Sequence, residues 1–71
     1  MSEELEIGTV TAFSPNASYG FIQIPGRQKD TFFHRSAVAG GWLPKVGDRV
    51  RVQVEQRPKG PAAVTVERME L

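Results

Sequence analysis

The stretch SYGFIQIPG, residues 18–26, decides how this chain is read. Residues two apart on a strand share a face, so Tyr19, Phe21 and Gln23 line one side while Gly20, Ile22 and Ile24 line the other. A chain of 71 residues holds one small core, and only one of these faces belongs to it. Placing Ile22 and Ile24 inside points Tyr19 and Phe21 into solvent. The reverse register buries two rings and wets two isoleucines, wasting the branched aliphatics that suit a tight sheet interior. We read the rings as outside.

Working outward, the pattern is all-β. Short runs rich in Val, Ile, Thr and Phe are separated by clusters of Gly, Pro, Asn and Asp. They predict strands over about 5–13, 19–24, 31–35, 48–56 and 62–69. SPNAS (14–18) turns the first pair and PGRQKD (25–30) the second; SAVAGGWLPKVG (36–47) is a long link, and RPKGP (57–61) joins the last two strands. Ser36 is expected to cap one short turn at SAV. Val10, Ile22, Ile24, Phe33, Val50, Val52, Val54, Val64 and Val66 fill the predicted interior. Five antiparallel strands with a long link after the third suit a small Greek-key barrel, because closure removes exposed edges.

Composition narrows the function. The chain reads as a single domain over residues 1–71. A core this small has no room for a deep catalytic cavity, and the absence of cysteine excludes disulfides and thiolate metal sites while fitting a cytoplasmic setting. No apolar run reaches membrane-spanning length, and the acidic start MSEELEIG lacks the character of a signal segment. Glu3, Glu4 and Glu6 read as a solvated strand end. The net charge of +1 hides an asymmetry: between residues 27 and 59 eight basic side chains face three acidic ones. A modest basic face is expected, not a strongly polyanion-seeking surface.

The run DTFFHRS (30–36) repeats the opening problem. With Phe33 inside, Phe32 and His34 are outside, and a hairpin brings them beside Tyr19 and Phe21. Four exposed rings in one place cost solubility, so a binding role is the economical explanation. Flat rings on an open sheet suit unpaired nucleobases, whose π-faces stack with little regard to sequence. Duplexes hide those faces inside their own stack.

These residues resemble the bacterial cold-shock domain from Gly8 to about Arg68. GTVTAF is similar to the opening strand of that family, SYGFI to its first ribonucleoprotein motif and TFFHRSAV to its second. VGDRVRVQVE and KGPAAVTVE resemble its last two strands. The resemblance implies an OB-fold barrel of cold-shock type that binds single-stranded RNA or DNA, as an RNA chaperone or a regulator of transcription or translation. It assigns the stacking platform to Tyr19, Phe21, Phe32 and His34, with Phe13 at its edge. Lys59 matches a basic position beside the last loop, Asp30 an acidic position that hydrogen-bonds bases, and Trp42 an aromatic of the long link that stacks on a further base. The chain departs from the family at Ala12, where a Trp is usual, at Thr11 and Ala17, where lysines are usual, and at Ser18, where glycine is. Arg35 replaces a common Phe and compensates through its guanidinium plane.

Weaker binding than a typical relative is therefore expected, with about four phosphates met by Arg27, Arg35, Arg57 and Lys59 and a salt slope of roughly −3. The chain is expected to act as a monomer without metal or cofactor. Two rival classes remain. His34 and Ser36 can be cast as base and nucleophile, but no orienting acid, oxyanion hole or cleft accompanies them, so no enzyme is expected. The other rival is an OB-fold protein-interaction module that keeps the barrel while losing nucleic-acid affinity; Thr11, Ala12 and Ala17 favour it, and the four rings oppose it.

Overall fold

The computed structural model describes residues 5–69; Glu3 and Glu4 lie outside the described residues. Five strands, β1 (Leu5–Ser14), β2 (Tyr19–Gln23), β3 (Thr31–His34), β4 (Arg49–Arg57) and β5 (Gly60–Arg68), follow the predicted runs to within a residue or two. They close into a barrel in the order β1, β2, β3, β5, β4 and back to β1. Four pairings are antiparallel, and the closing one, β3 with β5, is parallel. The expectation of a wholly antiparallel sheet fails there by parity, since directions cannot alternate all the way round a ring of five strands. The long link between β3 and β4 supplies the crossover that a parallel neighbour needs.

The inside-out assignment holds. Ile22 and Phe33 are 0% exposed and Ile24 is 3%, whereas Tyr19 is 40% exposed. Val10, Ile22, Ile24, Phe33, Val50, Val52, Ala63 and Val66 form the core, with Val54 packed half-buried against it. Val64 is not part of it. Pairing steps from Gln53↔Thr65 to Val54↔Ala63, so Val64 is an extra residue on β5. The bulge reverses which residues face inward, and Ala63 takes the place expected for Val64.

A second bulge shapes β1. Val10 pairs with Ile22 but Ala12 pairs with Phe21, leaving Thr11 unmatched between them. Val10 and Phe13 thus both turn inward although an odd number of steps separates them, and Ala12 turns outward. Phe13 lies opposite Gly20, and its ring stacks on Phe33 with centroids 5.8 Å apart and planes 6° from parallel. Gly20 is obligatory here. A Cβ on it would collide with the Ala12 carbonyl oxygen and come within 2.8 Å of the Phe33 ring. Ser18 holds φ 65, a left-handed conformation that glycine adopts without penalty.

The short turn after β3 is a 3-10 turn over Arg35–Ala37. Ser36 does not cap it. The cap is His34, whose Nδ1 accepts the Ser36 backbone N–H at 3.0 Å, because the turn begins one residue earlier than SAV suggests.

Candidate nucleic-acid interface

The β2–β3 hairpin assembles the outward rings. Its register sets Tyr19 opposite His34 and Phe21 opposite Phe32. The Tyr19, Phe21 and Phe32 centroids form a triangle with sides of 6.0, 5.9 and 6.1 Å. Phe21 stands nearly edge-on to both neighbours, while Tyr19 and Phe32 are tilted by 34°. Tyr19 and His34 are exposed; Phe21 and Phe32 are half-buried.

Phe32 also borders an open groove of about 650 Å³, whose other walls are Arg57, Pro58, Lys59, Gly60, Pro61 and Ala62. Lys59 therefore belongs to the same surface as the rings. The apolar character of this groove, from Pro58, Pro61 and Ala62, was missed in the sequence because it depends on the parallel pairing that sets Ala62 beside Phe32. Across Phe32 a smaller, more polar groove of about 180 Å³ reaches His34 and Ser36. Arg35 is exposed directly after His34, its backbone N–H donating to the Ser18 carbonyl at 2.8 Å.

Charge around the site is less available than its count suggests. Arg27 makes a two-armed ion pair with Glu6, Nε to Oε1 at 3.0 Å and Nη2 to Oε2 at 2.7 Å. That hydrogen bonding holds the Glu6 carboxyl below the usual carboxylate range and raises Arg27, with partial burial opposing both. Arg57 is paired with Glu55 at 3.1 Å, and Arg51 with Glu67 at 3.0 Å. Among the described residues no group of three or more His, Cys, Asp or Glu is arranged to hold a metal ion, and no helix is long and apolar enough to cross a membrane.

A family model described as the 'Cold-shock' DNA-binding domain matches residues 6–69. The chain belongs to the cold-shock domain family. It is 39% identical over 61 residues to the cold shock-like protein CspJ of Salmonella typhimurium, covering 83% of this chain and 87% of that one. It is 33% identical over 67 residues to the major cold shock protein of Micrococcus luteus, covering 92% of this chain and all of that one. Among solved structures, drosophila Unr CSD456 superposes with a TM-score of 0.83 at 23% identity, over 97% of this chain and 28% of that longer one. At that identity the likeness speaks for the barrel alone.

Within this cold-shock domain the remaining expected residues divide. Asp30 sits beside Phe21, tied through Thr11: the Thr11 hydroxyl lies 3.0 Å from Asp30 Oδ2 and 3.3 Å from the Phe21 carbonyl oxygen, and its one proton serves either. Thr11 is the bulge residue, so the position where the resemblance implies a lysine instead places a hydroxyl within reach of the acid at the strand edge. Ala12 is exposed opposite Phe21, which leaves bare the place where the resemblance implies a Trp. Two aromatics do not join the triangle. Phe13 is turned inward onto Phe33 by the β1 bulge. Trp42 packs against the core from the long link, under the Arg68 guanidinium at 5.7 Å, beside a separate depression lined by Ala39, Gly40, Glu67 and Arg68.

Proposed function

We propose that this cold-shock domain binds single-stranded RNA or DNA by stacking unpaired bases on Tyr19, Phe21, Phe32 and His34. Asp30 addresses base edges, and Arg35 and Lys59 meet the backbone. The observation that carries the reading is the contiguous outward triangle of Tyr19, Phe21 and Phe32, bordered by a groove with Lys59 at its rim. Each stacked base contributes ~1–3 kcal/mol with little sequence preference. Phe13 supports the platform from beneath through Phe33, and Trp42 offers at most a detached stacking surface. The chain acts as one monomeric domain in the cytoplasm, without cofactor, metal or catalysis. It works as an RNA chaperone or a regulator of transcription or translation, because a binder of loose strands shifts hairpins toward their open form.

The ion pairs revise the phosphate count. Arg27 and Arg57 are engaged by Glu6 and Glu55, which leaves Arg35, next to His34, and Lys59, in the groove beside Phe32, as the cations around the rings without an ion pair among the described residues. At about −0.7 per phosphate on single strands, two contacts give a salt slope of roughly −1.4 in place of −3. Titration of labelled oligo-dT and oligo-U at several salt concentrations tests both points. Binding with a shallow slope is the expected result. Absence of binding to either strand would favour the interaction-module reading, to which Ala12 and the Thr11–Asp30 tie also point.

A further inference from the structure

His34 differs from the other three rings in having a polar edge organised by the backbone. It is exposed on the ring side of β3, and its backbone, at φ −96 and ψ 150, caps the 3-10 turn. Its Nδ1 lies 3.0 Å from the Ser36 backbone nitrogen and 2.9 Å from the Ser36 Oγ. The hydroxyl either donates or accepts, but an amide N–H only donates. The amide therefore requires Nδ1 to be the acceptor, and the proton of the neutral imidazole resides on Nε2. Nε2 makes no hydrogen bond among the described residues. The result is a ring oriented by its own turn, with one donor left over.

We infer that His34 is a specificity-determining donor of this surface: with Nδ1 held by the Ser36 amide, its Nε2–H hydrogen-bonds an acceptor oxygen of a strand lying on the rings. This rests on the function proposed above and adds to it. Stacking on Tyr19, Phe21 and Phe32 accepts any base, since every base has a π-face. A donor of fixed position distinguishes what lies beside it. The Tyr19 hydroxyl rotates about its C–O bond and imposes no such constraint. The small polar groove between Phe32 and Ser36 gives the acceptor a place next to the imidazole. The oxygen comes from a base carbonyl or from the phosphate, and the two sources are separable.

The test begins with the free, isotope-labelled protein at mildly alkaline pH. A through-hydrogen-bond coupling between the Ser36 amide and His34 Nδ1, with the ring proton on Nε2, is expected; a proton on Nδ1 would overturn the assignment. Binding is then compared for wild type and His34→Phe, which keeps a flat ring and loses the donor. The strands are oligo-dT, its non-polar difluorotoluene isostere lacking carbonyl acceptors, and oligo-dT with methylphosphonate linkages. One uncharged hydrogen bond predicts that wild type prefers one acceptor-bearing strand over its depleted counterpart by about three- to tenfold more than His34→Phe does. Coupling to the isostere identifies a base carbonyl, and coupling to the methylphosphonate a phosphate oxygen. Equal discrimination by both proteins would sink the inference while leaving stacking intact. Failure of wild type to bind oligo-dT at all would remove the proposed function and this inference together. Should His34→Phe not fold, the wild-type Nε2 proton decides. It should exchange more slowly when oligo-dT is added, and unchanged exchange in the complex would count against the donor role.

Discussion

Phe32 and Phe33 are neighbours in sequence, identical in chemistry and opposite in circumstance. Phe33 is fully enclosed, with Phe13 stacked on one face and the bare backbone of Gly20 across its edge. Phe32 lies on the other side of the same strand, touching two further rings and open to a groove. Strand pleating alone separates them. The difference teaches that the hairpin performs two tasks with one alternation: its inner residues hold the barrel closed, and its outer residues are held still for something else. Rings kept rigid by a sheet lose little freedom when a flat partner lies on them, which is the advantage of building such a surface on strands rather than loops.

The sharpest way to break this comparison is to exchange the outcomes. Phe33→Ala should destabilise by ~3–5 kcal/mol, the cost of emptying a large enclosed site that cannot collapse. At roughly 4–8 °C per kcal/mol in a domain of this size, thermal unfolding should fall by some tens of degrees or lose its cooperative transition. Phe32→Ala should instead lower affinity for oligo-dT by ~1–3 kcal/mol, about five- to 150-fold, with a much smaller thermal shift from its lost ring contacts. If Phe32→Ala melts the fold as severely as Phe33→Ala, the two faces do not have separate tasks.

Ala12 offers the reverse experiment. It is exposed opposite Phe21, so Ala12→Trp adds a ring to the triangle without entering the core. Affinity for oligo-dT should rise by ~1–2 kcal/mol, about five- to thirtyfold, with the melting temperature nearly unchanged. A titration in which Ala12→Trp binds no better would mean that bases do not reach the β1 edge of the cluster.

How far the sequence carried this picture can be judged from particular residues. The faces of FIQI and VRVQVE were legible because period-two alternation is written locally, and the KGP loop and both ring motifs were legible because their order is distinctive. What escaped was everything that depends on one extra residue or on a distant partner. Nothing local marks Thr11 or Val64 as bulged, so the inward turn of Phe13 and the replacement of Val64 by Ala63 were out of reach. Parity of five strands forces a parallel pair, but which pair takes it emerges only when the barrel closes. The ion pair between Arg27 and Glu6 joins residues 21 apart, and from sequence alone Arg27 looked like a free cation.

Thr31 tests the inner face with a subtler change. It is 0% exposed, pairs with Ile22, and its Oγ1 has no hydrogen-bond partner among the described residues. A buried unpaired hydroxyl carries an uncompensated desolvation cost. Thr31→Val exchanges it for a methyl of nearly the same shape and should stabilise by ~1 kcal/mol, or roughly 4–8 °C, while leaving oligonucleotide affinity as it was. A stability gain accompanied by altered binding would show that the inner and outer faces are coupled after all.

The smallest effect concerns a contact that belongs to neither ring set. Glu6 shares the inward alternation of Gly8 and Val10, and its carboxylate meets Arg27, with side chains 30% and 29% exposed. Hydrogen bonding to Arg27 lowers the Glu6 pKa from the ordinary 4.5, so the folded chain binds its proton less readily than the unfolded chain does. Stability from the pair is then fully present above about 4.5 and is lost as acid titrates the folded carboxyl at its lower value. Partial exposure limits the contribution to ~0.5–1 kcal/mol. Melting curves of wild type and Glu6→Gln should differ by a few degrees near neutrality and converge as pH falls below that range, with the other carboxylates cancelling in the difference. The same pair should not govern binding: Glu6→Gln frees Arg27, yet the rings and Lys59 stay where they are, so a large gain in affinity or a steeper salt slope would place Arg27 among the strand contacts and enlarge the outer surface beyond the hairpin.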